Sequence, residues 1–159
     1  AVANGRLCGC GRKGCWEQYA SGNAMVRDAR AMATEKLFDA QVLLSLGDGT
    51  PEGIQGEHVT HAAQLGDPVA IEVLDQLGEW LGRGLASLSA ILDPQIFVIG
   101  GGASEASEFF LPSARASLAD RIIGKQYRPI PKIRVAELGN KAGIVGAADL
   151  ARIKFSSEN

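Results

Sequence analysis

The spacing of apolar residues predicts a chain of helices interrupted by short strands. After Trp16, small and apolar residues recur at near-helical intervals and predict a helix over residues 17–37. Residues 45–58 are dense in Gly, Asp and Pro, which is typical of a loop. A short helix is expected near residues 57–65, ended by Gly66. This part of the chain is therefore expected to be mainly helical.

The longest helix is predicted over residues 68–92. Asp67–Pro68 is a strong start signal, because Asp accepts free amide groups and Pro fits the first helical position. Gly78, Gly82 and Gly84 each weaken a helix by about 1 kcal/mol relative to Ala, so we expect another element to pack closely against them. The apolar stripe consists of Val73, Leu77, Leu81, Leu85 and Leu88, joined by Leu74, Ile91 and Leu92.

Residues 93–104 predict a strand followed by a glycine loop. Ile96–Ile99 is a continuous apolar run, as expected of a strand that is covered on both faces. Pro112 is compatible with the next helix only near a break or a fresh helix start. The remaining elements are a helix over 105–123, a strand over 132–138 and a closing helix over 142–155. Helices that alternate with short buried strands indicate the α/β class.

Composition and charge indicate a globular protein. Of the 159 residues, 46% are hydrophobic and 21% are charged, as in ordinary globular domains. The formal net charge of −2 gives no basic footprint for nucleic acid. No apolar run approaches the roughly 18 residues of a membrane span, and the first residues do not resemble a signal peptide. We therefore expect a cytoplasmic protein with no membrane partner.

The only cysteines, Cys8, Cys10 and Cys15, lie within eight residues of one another. Cytoplasmic thiols stay reduced, so a disulfide framework is not expected. The glycines between them allow a tight turn, and Arg12 and Lys13 add positive charge that favours thiolates. Sulfur-rich sites of this kind suit Zn²⁺.

The fourth ligand of such a site is open. Structural zinc sites have four ligands, and the cysteine stretch offers only three. His58 and His61 are candidates on the predicted short helix, although a histidine on a helix face is more often a plain surface or packed residue. Three unligated thiols and a redox trio remain as alternatives to zinc.

The stretch CGCGRKGCWEQYASG, residues 8–22, is similar to the zinc signature C-x-C-G-x-x-G-C-x-E of the ROK family of sugar kinases and repressors. LDPQIFVIGGGAS resembles the family's strand and adenosine-contacting glycine loop, and NKAGIVGAADLAR resembles its closing helix. The resemblance implies that a histidine about ten residues before Cys8 completes the zinc site. That histidine would lie upstream of Ala1, so we expect this chain to be the C-terminal half of a larger protein.

The resemblance also implies the architecture. It is an actin-like, ribonuclease-H-like α/β fold with a small parallel or mixed sheet, an inserted helical segment and a zinc knuckle. We expect the knuckle over residues 1–15, a mainly helical part over 16–92 and an α/β nucleotide-side segment over 93–159. The family commonly forms dimers, so a homo-oligomer is expected.

Two further sites follow from the resemblance. On the sequence alone, Glu17 is compatible with a plain helix-start glutamate, and Gly100–Gly102 with a tight strand–helix turn. The family likeness makes Glu17 the contact for sugar hydroxyls, since a carboxylate accepts hydrogen bonds from two neighbouring hydroxyls. It makes Gly100, Gly101, Gly102 and Ala103, flanked by Ser104, the contact for the adenosine of ATP.

The function implied is that of an ATP-dependent hexose kinase using Mg²⁺. Glucose is the expected hexose, because the Trp at position 16 resembles the residue that bacterial glucokinases carry there. A sugar-sensing repressor, with its DNA-binding segment upstream, is the alternative from another class; an N-acetylmannosamine kinase or fructokinase is the alternative within the family. The D-x-G-G-T and E-x-G-H motifs and the catalytic Asp are expected upstream of Ala1. No catalytic residue is therefore assigned here, and the chain alone is expected to be inactive.

Overall fold

The computed structural model describes residues 2–101 and 105–157. Within these residues the order of elements is α1 (Gly22–Glu35), α2 (Gln41–Leu46), α3 (Gly56–Gln64), α4 (Pro68–Leu92), β1 (Ile96–Ile99), α5 (Ser107–Arg121), β2 (Lys132–Val135) and α6 (Ala142–Ser157). Short 3-10 turns lie at Trp16–Gln18, Pro51–Gly53 and Gly139–Lys141. The mixture of helices with two short strands agrees with the α/β class expected from the sequence. None of the helices in the described part of the chain has the length and apolarity that crossing a membrane requires.

The centre of the fold is the contact between α4 and α5, which we call the α4–α5 seam. A Cβ on Gly78 would overlap the carbonyl of Phe110, and one on Gly82 would overlap the carbonyl of Ala114. The expectation that the glycines of the long helix mark close approaches is therefore confirmed. The buried side chains of the two helices include Leu74, Leu77, Leu85, Ala86, Phe110, Leu111, Ala114 and Leu118.

The start of α4 is fixed by Asp67, as the sequence predicts. Its Oδ1 accepts the amide of Ala70 at 3.0 Å, which is the N-cap contact. Its Oδ2 accepts the amide of Leu43 at 2.9 Å and so reaches the first turn of α2. One carboxylate, only 1% exposed, therefore joins the starts of two helices.

The last turn of α4 differs from the expected stripe. Ile91 and Leu92 are 77% and 66% exposed. The last buried residue of this helix is Ser89. Residues 93–95 then lead directly into β1, and both elements contribute to one buried cluster. Leu77 and Leu81 of α4 line one cleft with residues of β1, but the main packing partner of α4 is α5, so the expected packing of the long helix directly beside the strand is not confirmed.

Three local predictions are corrected by the structure. Helix α1 begins at Gly22 instead of residue 17, because the Ser21 hydroxyl accepts the Ala24 amide at 3.1 Å and caps the helix there. Much of the loop predicted over 45–58 is instead taken up by the end of α2, a 3-10 turn and the start of α3.

The third correction concerns α5, which runs without a break through Pro112. Proline removes one backbone hydrogen bond from a helix interior. Phe110, Leu111 and Ala114 are buried around it, and their packing holds the helix together at this point.

Strands β1 and β2 form a parallel pair, with Ile96 opposite Lys132. The expectation that β1 is covered on both faces is wrong for the described residues. Phe97 and Ile99 pack against the core, whereas Ile96 and Val98 are 43% and 61% exposed. The described elements cover one face of this sheet and leave the other open.

Candidate functional site

The three cysteines meet in a tight loop, residues 2–15, which we call the cysteine loop. The sulfur atoms of Cys8, Cys10 and Cys15 all lie within 4.8 Å of one another, and those of Cys10 and Cys15 are 3.5 Å apart. Sulfur atoms bound to a tetrahedral zinc ion at ~2.3 Å are about 3.8 Å apart. The spacing therefore fits three corners of one zinc site.

Backbone hydrogen bonds fold the cysteine loop. Leu7 and Lys13 form an antiparallel bridge, and the Gly14 amide donates to the Arg6 carbonyl at 2.8 Å. Gly14 has a φ of 75°, and a Cβ there would collide with the Val2 carbonyl. Such a position accepts only glycine, so the glycine-dependent turn expected from the sequence is confirmed here.

The electrostatics of the cluster favour one thiolate over two. Hydrogen bonding from the Arg12 backbone, followed by that with Cys15, lowers the pKa of Cys10. The contacts with Cys10 and then with Cys8 raise the pKa of Cys15 to about 11. A second negative sulfur is disfavoured beside the first unless a cation lies between them. The donor set therefore suits a divalent ion that prefers sulfur.

Neither histidine considered as a fourth ligand joins the cysteines. Among the described residues, the cluster with ligand spacing contains the three cysteines alone. His58 lies at the start of α3, where its Nδ1 accepts the Gln55 amide at 3.2 Å, and His61 is exposed on the same helix. Both histidines therefore belong to α3 and lie outside the cysteine cluster.

Glu17 lies beside the cysteine loop, on the 3-10 turn Trp16–Gln18. Its Oε2 is 3.6 Å from the Cys8 Sγ and accepts the Gln18 side-chain amide at 3.4 Å. The side chain is exposed. Glu17 thus lies in the first turn of this short 3-10 element and not in α1, which begins at Gly22.

A separate cleft of about 870 Å³ opens between the helical part of the chain and β1. It lies at the carboxyl end of β1, which is where α/β proteins place their ligands. Glu17 is not among the described residues that line it. The apolar lining consists of Met25, Val26, Leu77, Leu81, Val98, Ile99 and Phe110.

The rim of the cleft is polar. Helices α1 and α3 both begin there, with Gly22 and Gly56 among the lining residues. Among the described lining residues there is no Lys or Arg, and two are acidic. The cleft therefore suits a flat, uncharged group with hydroxyls better than a phosphate chain. Its polar side chains are Ser21, Asn23, Glu57, Thr60 and Glu105.

Of the residues predicted to contact a nucleotide, Gly100 lines this cleft. Gly101 follows with a φ of 94°, a value that glycine adopts readily. Gly102 and Ala103, with the flanking Ser104, lie outside the described residues. The rim residues were missed from the sequence because they come from three distant segments. Their one local signal was the capping serine before Gly22.

Curated relatives of this chain include sugar kinases and a repressor. It is 50% identical over 151 residues to the glucokinase of Streptomyces coelicolor, covering 95% of this chain and 48% of that protein. It is 32% identical over 149 residues to the glucokinase of Thermotoga maritima, covering 94% and 46%. The chain thus spans about half the length of these relatives. More distantly, it is 27% identical to the xylose repressor of Bacillus subtilis, covering 92% and 33%.

Solved structures give the same picture. The chain matches a ROK family glucokinase from Streptomyces griseus, solved in complex with glucose and AMPPNP, with a TM-score of 0.90 and 50% identity; the match covers 95% of this chain and 48% of the other. The family model described as "ROK family" matches residues 1–154. This chain therefore belongs to the ROK family.

Proposed function

We propose that this chain is the C-terminal part of an ATP-dependent hexose kinase that converts glucose and ATP to glucose 6-phosphate and ADP. The observation that carries the proposal is the position of Glu17, whose carboxylate lies 3.6 Å from a cysteine of the cluster. Its place beside the cysteine loop fits the sugar-binding role implied by the family signature. The glucokinase relatives support the choice of glucose.

The three cysteines hold a structural Zn²⁺ in this proposal. The ion supplies positive charge that lets several thiolates stay close together and ties the cysteine loop into one shape. Ligand thiols lose their protons on metal binding. Cys8 then no longer donates to Glu17, and the carboxylate keeps its lone pairs for sugar hydroxyls.

Glu17 binds the sugar. A carboxylate offers two oxygens to neighbouring hydroxyl groups, and hydrogen bonds to a charged acceptor are about twice as strong as neutral ones. The side chain is exposed at the surface of this chain. That exposure leaves room for a hexose between Glu17 and the other half of the kinase.

The cleft takes the adenosine of ATP. Its apolar floor suits the adenine ring, and the carboxylates of Glu57 and Glu105 on its rim can accept hydrogen bonds from ribose hydroxyls or the adenine amino group. Gly100 lines the cleft, and Gly101, Gly102 and Ala103 are assigned to the same adenosine contact in this proposal. We assign no residue of the described lining to the phosphates, because it includes no Lys or Arg.

Phosphoryl transfer also needs a base for the attacking hydroxyl. We assign none to this chain, and we propose that the chain alone does not phosphorylate sugar. The complete protein is proposed to act in the cytoplasm as a homo-oligomer. Exposed apolar residues on α6, such as Ile144 and Leu150, favour a further interface.

The test is a coupled kinase assay on the full-length protein. With ATP and Mg²⁺ we expect turnover of glucose at lower KM than that of fructose, N-acetylmannosamine or N-acetylgalactosamine. The 159-residue chain run in parallel should show no turnover. Preference for another hexose would replace glucose but keep the kinase; hexose binding without any turnover would favour the repressor.

The repressor is the second candidate because the xylose repressor of Bacillus subtilis is also a relative. It would share the cysteine loop and sense sugar without transferring phosphate. A DNA-binding segment upstream, in place of a phosphate-binding D-x-G-G-T, would identify it.

A further inference from the structure

Glu17 sits on a short turn that is tied to α4 by an aromatic ring on each side. On one side, the Trp16 indole Nε1 donates to the Trp80 carbonyl at 2.7 Å. On the other, the Tyr19 ring packs against the Trp80 ring with centroids 4.4 Å apart. The Tyr19 hydroxyl also accepts the amide of Arg6 at 2.9 Å, which links the turn to the cysteine loop.

Besides the two rings, Arg27 of α1 holds the turn: it donates to the Gln18 carbonyl at 2.6 Å and to the Gln18 side-chain oxygen at 3.2 Å. The turn itself is a single 3-10 turn of three residues, without a side-chain cap and without a buried residue of its own. Isolated 3-10 turns have poor hydrogen-bond geometry and little intrinsic stability. Arg27 anchors the Gln18 end of the turn, so the position of the Glu17 carboxylate depends on that anchor together with what the neighbouring rings contact.

Gly84 is what allows the indole to reach α4. A Cβ on residue 84 would overlap the Trp16 ring and come within 2.6 Å of its Nε1. Trp80, whose carbonyl accepts the indole, lies one helical turn before Gly84 on the same face. The missing side chain thus opens a slot on α4 that fits one indole.

We propose that Trp16 is a positioning residue for sugar binding: seated in the slot at Gly84, it sets where the Glu17 carboxylate stands. The inference rests on the sugar-binding role proposed for Glu17. It assigns a function to Gly84 that differs from that of Gly78 and Gly82, which face α5. Helix α4 therefore presents Gly84 to the turn that carries Glu17, and Gly78 and Gly82 to α5.

The three glycines provide a matched experiment in the full-length protein. Glucose affinity is measured by calorimetry, together with the KM for glucose, the KM for ATP and thermal unfolding. We expect Trp16→Phe and Gly84→Ala each to weaken glucose binding by about 5- to 10-fold, the scale of one lost hydrogen bond, with the ATP KM changed less than about twofold. Gly82→Ala, the control, should lower the unfolding temperature and leave glucose affinity unchanged.

Two double variants separate positioning from mere stability. Phe has a smaller ring than Trp, so a Cβ at residue 84 should disturb it less. Introducing Gly84→Ala into the Trp16→Phe variant should therefore weaken glucose binding less than introducing it into the wild type. In a Glu17→Ala background, Trp16→Phe should cause no further loss, because the group it positions is gone. An equal loss in both backgrounds, or glucose affinity unchanged in Trp16→Phe and Gly84→Ala, would overturn the inference.

Failure of the proposed function has a different appearance. If the wild type binds glucose without phosphorylating it, the kinase is wrong, and the calorimetric comparison still decides the role of Trp16. If the wild type binds no hexose at all, both proposals fall together. If it is an active kinase that responds to Glu17→Ala but not to Trp16→Phe, the positioning role alone is wrong.

Discussion

The cysteine loop and the α4–α5 seam are held together by opposite means. The loop has one buried cysteine among largely exposed residues, and backbone hydrogen bonds give it its shape. The seam is built from apolar side chains and two glycines that bring the helix backbones together. Apolar burial is the main interaction of the seam, joined by the Ser117 hydroxyl, which donates to the Glu79 carbonyl at 2.9 Å. The loop has too little apolar surface to be held in the same way.

This difference separates function from stability within one small chain. The chemistry-bearing groups, three thiols and a carboxylate, gather where the core contributes least. Changes to the loop should therefore affect metal and sugar binding, and changes to the seam should affect unfolding. Variants in each region therefore test whether metal and sugar binding are independent of the stability of the fold.

The largest effect is expected for Cys8→Ser. We expect the wild-type chain to bind about one zinc ion, with water or a neighbouring molecule as fourth ligand. Structural zinc contributes on the order of 10 kcal/mol in small domains, so losing a thiolate should reduce the zinc content to near zero by elemental analysis.

The control for Cys8→Ser is Arg12→Ser, which alters the same loop without removing a ligand and should keep the zinc. No zinc in freshly reduced wild-type chain would contradict the proposed site. A large loss of helix content in Cys8→Ser would show that the seam depends on the loop.

For the seam, Phe110→Ala should cost about 3–5 kcal/mol of unfolding free energy, because a large core side chain is replaced by a cavity. Phe110 is 1% exposed. Chemical denaturation followed by circular dichroism measures the loss, and zinc content should not change. Phe38→Ala is the control, since that ring is 90% exposed and its removal should cost about 0.5 kcal/mol or less.

The sequence predicted the parts of both regions that depend on local spacing. The cysteines and their glycines lie within eight residues, and the start of α4 follows from Asp67–Pro68. Contacts between distant residues could not be predicted in the same way. Trp16 meets a helix 64 positions further on, and nothing in the local pattern identifies which glycine receives it.

The exposure of β1 shows the same limit. A run of four apolar residues indicates two apolar faces, but it does not say whether the covering element lies in the same chain. Ile96 and Val98 are exposed among the described residues. The cleft could not be predicted from the sequence either, because its rim is formed by α1, α3 and the residues before α5.

On the sugar side, Glu17→Ala in the full-length protein should weaken glucose binding by about 2–3 kcal/mol, which is roughly 30- to 150-fold. The physical reason is the loss of charge-assisted hydrogen bonds to hydroxyls. Glu17→Gln, which keeps the shape and one acceptor, should lose less. Kinetics with unchanged KM for glucose and unchanged kcat would refute the role of Glu17, and an altered unfolding temperature would show that this turn also supports the fold.

The smallest effect on stability is expected for substitution of Asp67, a buried polar residue of the core. Asp67 accepts one amide from α4 and one from α2. Asp67→Asn keeps one amide oxygen, and Asn is as good an N-cap as Asp, so the contact with Ala70 survives. The Leu43 amide then faces an NH₂ group and loses its acceptor. Because Leu43 is fully buried, this orphaned amide should cost about 1–2 kcal/mol of unfolding free energy. Asp67→Ala removes both acceptors and should cost more unfolding free energy than Asp67→Asn. If the two variants lose the same unfolding free energy, the Leu43 contact accounts for the whole effect and the cap of α4 contributes nothing.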